Sequence, residues 1–139
     1  MSPQTKAPVN VKQAVPFFGV SNMETSLRFY VDGLGFEMTR KWIDQGKLRW
    51  CWLELGSAAL MLQEVRQEPA RGKVDEGVSI WFQCEDALAI YREMSSRGIQ
   101  AARPFVGNGM WDVSLTDPDG YKIHFESPTD VPEETELSE

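Results

Sequence analysis

The side chain with the widest chemical scope in this sequence is its single histidine, His124. An imidazole changes its charge near neutral pH and is a common metal ligand, so it can act as a base, an acid or a metal donor. A general base also needs a partner that orients the ring, and the residues next to His124 in sequence do not supply one. Two roles remain: a histidine that lines a binding surface with its hydrogen bond satisfied, or a ligand or catalytic base.

Aromatic side chains form the second set of candidates. Five tryptophans in 139 residues is a high number, and an indole ring offers flat apolar area and a face that attracts cations. A tryptophan in a strand also packs readily into a core, but five would overfill the core of one small domain. Some of them are therefore expected to line a binding surface.

The segment that carries His124 reads as a β-hairpin. Asp117-Pro118-Asp119-Gly120 predicts a tight turn between strands 113–116 and 121–127. Ile123 and Phe125 alternate with polar residues, which places them on the buried face and His124 on the opposite face.

The rest of the chain reads as one pattern that occurs twice. A strand at 14–20 precedes a helix that begins at Ser21 in a capping box with Glu24, and strands follow at 36–42, 48–55 and 58–65. After a polar linker at 66–77 come a strand at 78–84, a helix beginning after Glu85 or Asp86, a short strand at 99–104, a flexible loop at 107–109, and strands at 110–116 and 121–127. The two halves align with offsets of about 64 residues, which indicates a duplicated module.

These boundaries predict one domain at 14–127, made of modules 14–66 and 78–127. Residues 1–13 are expected to be a disordered arm and residues 128–139 a solvated, frayed acidic tail.

Composition excludes several classes of function. A net charge of −7 argues against nucleic-acid binding, and no apolar run is long enough to span a membrane, so a cytoplasmic protein is expected. Cys51 and Cys84 lie in apolar stretches without CxxC spacing, which favours buried free thiols over a disulfide or a zinc site.

The repeated β-α-β-β-β order, the stretch VSNMETSLRFYVDGLGF and the closing hairpin DPDGYKIHF resemble the vicinal oxygen chelate superfamily. That superfamily includes glyoxalase I, bleomycin-resistance proteins and extradiol dioxygenases. The resemblance implies an α+β fold in which curved mixed sheets surround a cleft. It also implies a homodimer, with modules that face each other within a chain or are exchanged between chains.

Enzymes of this superfamily place metal ligands at positions that correspond to Val15, Met61, Ser79 and His124. Three of these four are not usual metal ligands, and a frame shift of two residues brings in only Gln63 or Glu126. No cofactor is therefore expected. The residues expected to bind a ligand in the cleft are Phe17, Trp42, Trp50, Trp52, Met61, Gln63, Ser79, Trp81, Trp111 and His124.

Two functions follow from the resemblance. The first is a binding protein similar to bleomycin-resistance proteins, which holds a bulky aromatic or cationic compound without metal chemistry. The alternative is a metal-dependent lyase, isomerase or dioxygenase with an incomplete or shifted metal site formed by His124, Gln63 and Glu126.

Overall fold

The computed structural model describes residues 9–65 and 77–139, so most of the predicted arm and linker lie outside the described residues. No helix in these two ranges is long and apolar enough to cross a membrane. The elements, in chain order, are β1 (Phe17–Val20), α1 (Met23–Leu27) with a π-helical continuation (Arg28–Gly33), β2 (Glu37–Asp44), β3 (Lys47–Leu55), β4 (Ala58–Glu64), β5 (Ile80–Gln83), α2 (Ala87–Ser96), β6 (Phe105–Gly107), β7 (Met110–Thr116) and β8 (Lys122–Pro128).

The strands form two four-stranded mixed sheets with the same internal order. The first sheet has the order β1-β4-β3-β2 and the second β5-β8-β7-β6. β1 pairs with β4 in parallel, and β5 pairs with β8 in parallel. All other neighbouring strands are antiparallel. Phe17 pairs with Met61 in the first sheet, and Trp81 pairs with His124 in the second. The predicted α+β fold of two β-α-β-β-β modules is confirmed.

The first helix begins one residue later than predicted. Asn22 is its N-cap, and the Asn22 side chain accepts a hydrogen bond of 3.0 Å from the Thr25 main-chain N–H. The main-chain N–H of Ser21 instead donates to the carboxylate of Asp119, 98 residues away, at 3.1 Å. The predicted capping box of Ser21 with Glu24 is therefore wrong, because a long-range contact engages Ser21.

The short strand before β7 also differs from the prediction. Residues 99–104 are not a strand; β6 comes after Pro104, and the expected flexible loop at 107–109 is a tight turn. The carboxylate of Glu133 holds this turn by accepting hydrogen bonds from the main-chain N–H groups of Asn108 (2.7 Å) and Gly109 (2.8 Å).

The acidic C-terminal segment is packed against the second sheet, which corrects the expectation of a frayed tail. It runs beside β6: the N–H of Val106 donates to the carbonyl of Thr135 (2.9 Å), and the N–H of Leu137 donates to the carbonyl of Pro104 (2.9 Å). The Leu137 side chain is buried. The high charge of the segment predicted solvation, but its main-chain groups, the buried Leu137 and ion pairs such as that of Glu139 with Arg92 dock it on the sheet edge.

The two modules share one core within the chain. The ring of Phe18 in β1 stacks on Tyr121, just before β8, with centroids 4.1 Å apart and planes at 5°. The Tyr121 hydroxyl donates to the carbonyl of Gly19 at 3.0 Å, and Phe36 meets Phe82 of β5 at 5.8 Å. Each sheet thus turns one face toward this core and leaves its other face open.

The hairpin between β7 and β8 forms a polar junction between the modules. The buried carboxylate of Asp117 accepts hydrogen bonds from the Tyr30 hydroxyl (2.7 Å) and from the Asp119 N–H (2.9 Å). Burial raises the pKa of Asp117, and the hydrogen bond from Tyr30 opposes that shift. Gly120 has φ of +97°, as the predicted tight turn requires.

Candidate functional site

The open face of the first sheet carries most of the predicted aromatic residues, and we call it the aromatic face. Residues paired directly across strands lie on the same face of a sheet. One cross-strand row contains Arg40, Trp52, Met61 and Phe17, and the next contains Trp42, Trp50 and Gln63. The alternate residues of the central strand, Cys51 and Leu53, are buried in the core.

The aromatic face is unusually exposed for its composition. Phe17 is 51% exposed and Trp42 is 52% exposed, while Trp50 and Trp52 beside them are half-buried. Large aromatic side chains clustered on an open face mark surfaces that bind a ligand or a partner.

The indole of Trp52 already makes a cation–π contact with the side chain of Arg40. The guanidinium carbon of Arg40 lies 4.6 Å from the centre of the indole ring, and the indole N–H donates to the carboxylate of Glu54 at 2.7 Å. The aromatic face therefore has the geometry for a cation–π contact, but a ligand that stacks on this ring must displace Arg40.

The open face of the second sheet is more polar, and we call it the imidazole face. Trp81 pairs with His124, and His124 pairs with Ser114. The indole and imidazole rings are parallel to within 1°, with centroids 3.7 Å apart, and the indole N–H donates to the hydroxyl of Ser79 at 2.8 Å. Trp81 remains 44% exposed, so one face of its ring is covered by His124 while much of the side chain meets solvent.

His124 has the orienting partner that the sequence analysis did not find. Its Nδ1 lies 2.9 Å from Oδ1 of Asp112, a residue only 8% exposed. Asp112 pairs with Glu126, which puts it diagonal to His124 across β7 and β8. The hairpin register could have revealed this contact, since a symmetric hairpin about the 117–120 turn sets Asp112 near His124.

Trp111 does not share a face with the other predicted residues. It pairs with Ser127, and its ring packs against the hydrophobic core. Strand alternation puts it on the side of Val113, away from His124. Its predicted place in the cleft is therefore wrong.

The residues at the metal positions of the superfamily do not fit a divalent metal. Val15 and Ser79 precede the strands, and the residues beside Met61 and His124 are Phe17 and Trp81, which are not metal ligands. In the described ranges no three His, Cys, Asp or Glu side chains converge.

The alternative metal donors are also separated or engaged. Gln63 belongs to the first sheet, whereas His124 and Glu126 belong to the second. The carboxylate of Glu126 accepts a hydrogen bond of 2.7 Å from Gln83, and His124 already uses one ring nitrogen for Asp112. A catalytic metal usually has three protein ligands, and this set does not provide them.

The two thiols are free and poorly suited to chemistry. Burial raises the pKa of Cys51 to about 11, and burial also raises the pKa of Cys84. Both are protonated at neutral pH, and a protonated thiol is a weak nucleophile.

A cavity of about 620 Å³ opens on the imidazole face. The side chains that line it include the imidazole of His124, the ammonium of Lys122 and the hydroxyls of Ser114 and Thr116. Lys122 donates to the Thr116 hydroxyl at 2.7 Å. The cavity thus combines these polar groups with the apolar side chains of Ala102 and Leu115.

Fold and sequence together define the class of the protein. The family model described as the Glyoxalase/Bleomycin resistance protein/Dioxygenase superfamily matches residues 12–125. The chain belongs to this superfamily. Comparison with the sequences of curated proteins gives no significant match.

Solved structures with the same fold include antibiotic-binding proteins. TnmS3, an antibiotic binding protein from Streptomyces sp. CB03234, has a TM-score of 0.65 at 20% identity and covers 88% of this chain and 100% of its own. A bleomycin-binding protein complexed with bleomycin has a TM-score of 0.64 at 22% identity and covers 86% and 100%. A putative glyoxalase family protein from Bacillus anthracis has a TM-score of 0.64 at 20% identity and covers 88% and 100%. At these identities the likeness shows the fold.

Proposed function

We propose that this protein binds a flat aromatic or aromatic cationic small molecule on the open faces of its two sheets, without a metal ion. The observation that carries the proposal is the aromatic face, where Trp42, Trp50, Trp52 and Phe17 lie together and are covered only in part. Each ring contact with a planar ligand adds about 0.5–2 kcal/mol beyond the burial of apolar area. Three or four such contacts, together with that burial, are enough for affinity in the micromolar range.

Two further considerations support a binding role. TnmS3 and the bleomycin-binding protein have this fold and bind antibiotics by their own descriptions. The donor set at the metal positions also disfavours the enzyme alternative, which would depend on His124, Gln63 and Glu126 acting together.

The proposed cleft includes a second copy of the chain. Within one chain the modules pack through their core faces, and the open faces remain exposed. A homodimer in which an aromatic face and an imidazole face come together would enclose the ligand between Trp42 and Trp81 and cover both faces.

Fluorescence titration tests this function. Bleomycin and a simple planar cation such as proflavine should each quench tryptophan emission with saturation. Trp42→Ala and Trp81→Ala should each weaken binding by about 0.5–2 kcal/mol, because each removes one ring contact.

Trp111→Phe provides the matched control. It also removes an indole, but one that packs against the core, so the affinity should stay unchanged. The proposal would be refuted if neither compound gave saturable quenching. It would also be refuted if all three variants lost the same amount of binding affinity.

A further inference from the structure

We infer that the cavity on the imidazole face binds an acidic hydroxyl group, a phenol or an enol, and that His124 takes its proton. This inference rests on the proposed binding function and names the chemical group that the ligand carries. It depends on three features: the Asp112–His124 contact, the unengaged nitrogen of His124, and the position of Lys122.

The contact with Asp112 fixes the role of each ring nitrogen. An ionised carboxylate accepts hydrogen bonds and cannot donate them, so with Asp112 ionised the proton of this contact lies on the Nδ1 of His124, 2.9 Å away. In the neutral ring this leaves a lone pair on Nε2. No described residue donates a hydrogen bond to Nε2, so it is available to a donor on a ligand.

The ring is also held in place. Trp81 stacks on one side of it with the planes parallel, and the ring is largely buried. A rigidly held acceptor loses little entropy when it binds its partner. The fixed ring therefore favours a ligand whose hydrogen-bond donor lies opposite Nε2 of His124.

The charges around His124 favour transfer of the proton. The element that carries His124 also places Lys122 and Glu126 on this face, and the adjacent β7 places Asp112 there. β5 contributes the neutral side chains of Trp81 and Gln83. Asp112 stabilises the imidazolium that forms at His124.

Lys122 can stabilise the negative charge that forms on the ligand. It lines the same cavity as His124, with the hydroxyls of Ser114 and Thr116, and its ammonium stabilises a ligand oxygen that has lost its proton. The step is a simple proton transfer: the ligand O–H bond breaks, an Nε2–H bond forms, and the resulting phenolate lies near Lys122. Asp112 keeps its hydrogen bond to Nδ1 throughout.

4-Nitrophenol is a suitable probe, because its phenolate form absorbs visible light and its neutral form does not. At a pH at which the free probe is mostly neutral, the wild-type protein should generate a phenolate band beyond that of the probe in buffer. 4-Nitroanisole, the methyl ether without a donor, should bind at least about tenfold more weakly in equilibrium dialysis.

Variants of the cavity test the role of each residue. His124→Gln should abolish the band, while Asp112→Asn and Lys122→Met should each reduce it by about tenfold, as expected for the loss of one charged partner. Lys41→Met removes the same charge from an exposed site on the first sheet and should leave the band unchanged.

Other results would overturn the inference. One is a bound probe that stays neutral in the wild-type protein; another is a phenolate band that survives in His124→Gln. A third is a failure of 4-nitrophenol to bind while proflavine still quenches, which would reject this inference and leave the proposed function in place. Failure of both compounds would reject both.

Discussion

Among single side chains, Asp117 connects the most distant parts of the chain. Its carboxylate accepts a hydrogen bond from the hydroxyl of Tyr30 in the first module. It also accepts hydrogen bonds from main-chain N–H groups of its own turn. Both partners are buried, and burial raises the pKa of each, well above its ordinary value for Tyr30. A buried hydrogen bond of this kind stabilises the fold most when the carboxylate is ionised.

Tyr30→Phe should therefore destabilise the protein by about 1–3 kcal/mol, because it leaves a buried carboxylate with one donor fewer. Urea denaturation measures this change in the free energy of unfolding. Tyr91→Phe is the matched control, since the Tyr91 hydroxyl is not hydrogen-bonded to any described residue.

The same variant should depend on pH in a defined direction. The pKa of Asp117 is raised in the folded state. The contribution of the protonated carboxyl group to folding stability is therefore complete below the ordinary aspartate pKa, and it is lost as pH rises through the raised pKa. Loss of the Tyr30 hydroxyl raises this pKa further. The difference between wild type and Tyr30→Phe should thus grow from acidic to neutral pH, and a constant or shrinking difference would contradict this assignment.

Metal content is a second prediction at the scale of residues. With Phe17 and Trp81 beside Met61 and His124, an ion would meet one imidazole and otherwise water, which gives little affinity over the hydrated ion. Elemental analysis of the purified protein should find divalent metal well below one equivalent. A stoichiometric ion that resists EDTA would instead favour the enzyme alternative.

The positions of individual side chains were predicted correctly where they depend only on the local alternation of a strand. The alternation that put His124 opposite Ile123 and Phe125 is found in β8. The Asp112 partner was missed because it depends on the pairing register of the hairpin. The core position of Trp111 was missed although strand alternation places Trp111 on the same side as Val113.

At the scale of elements, the central strands lie within two residues of their predicted bounds, whereas the ends follow long-range contacts. The start of α1 is held by Glu64 of β4, whose carboxylate accepts from the N–H of Met23 at 2.8 Å and pairs with Lys47 at 2.6 Å. Hydrogen bonds with Lys47 and with the N–H of Met23 lower the pKa of Glu64. A contact across 41 residues leaves no local pattern in the sequence.

The docked C-terminal segment gives a prediction at this scale. Leu137→Ala should destabilise the protein by about 2 kcal/mol, since it removes the buried anchor of a segment that covers the edge of the second sheet. Thermal unfolding measures the change, with Ser138→Ala as the exposed neighbouring control. If Leu137→Ala unfolds at the wild-type temperature, the segment does not dock on β6 in solution.

At the scale of the whole molecule, the two modules are joined through one core, and each keeps an open face. Phe17 and Trp42 on one face and Trp81 on the other are large aromatic groups that meet solvent in the single chain. Covering such surfaces is the usual driving force for the association of subunits.

Sedimentation velocity at micromolar concentration should therefore find a homodimer. Trp42→Lys, which puts a charge in the aromatic face, should shift the equilibrium toward monomer, whereas Lys41→Met at the adjacent exposed position should not. A monomeric wild-type protein would mean that one chain alone forms the binding surface.

The junction at the 117–120 turn also bears on how the chain folds. The contacts of Tyr30 with Asp117, Ser21 with Asp119 and Gly19 with Tyr121 join residues separated by 87, 98 and 102 positions. Closing such long loops costs more entropy than forming the hairpins inside each module. We therefore expect the junction contacts to form only after the transition state, once the strands of each module are in place. A weakened junction should then speed unfolding while leaving the refolding rate nearly unchanged, so the buried Asp117 would contribute to the lifetime of the native state together with the shared core.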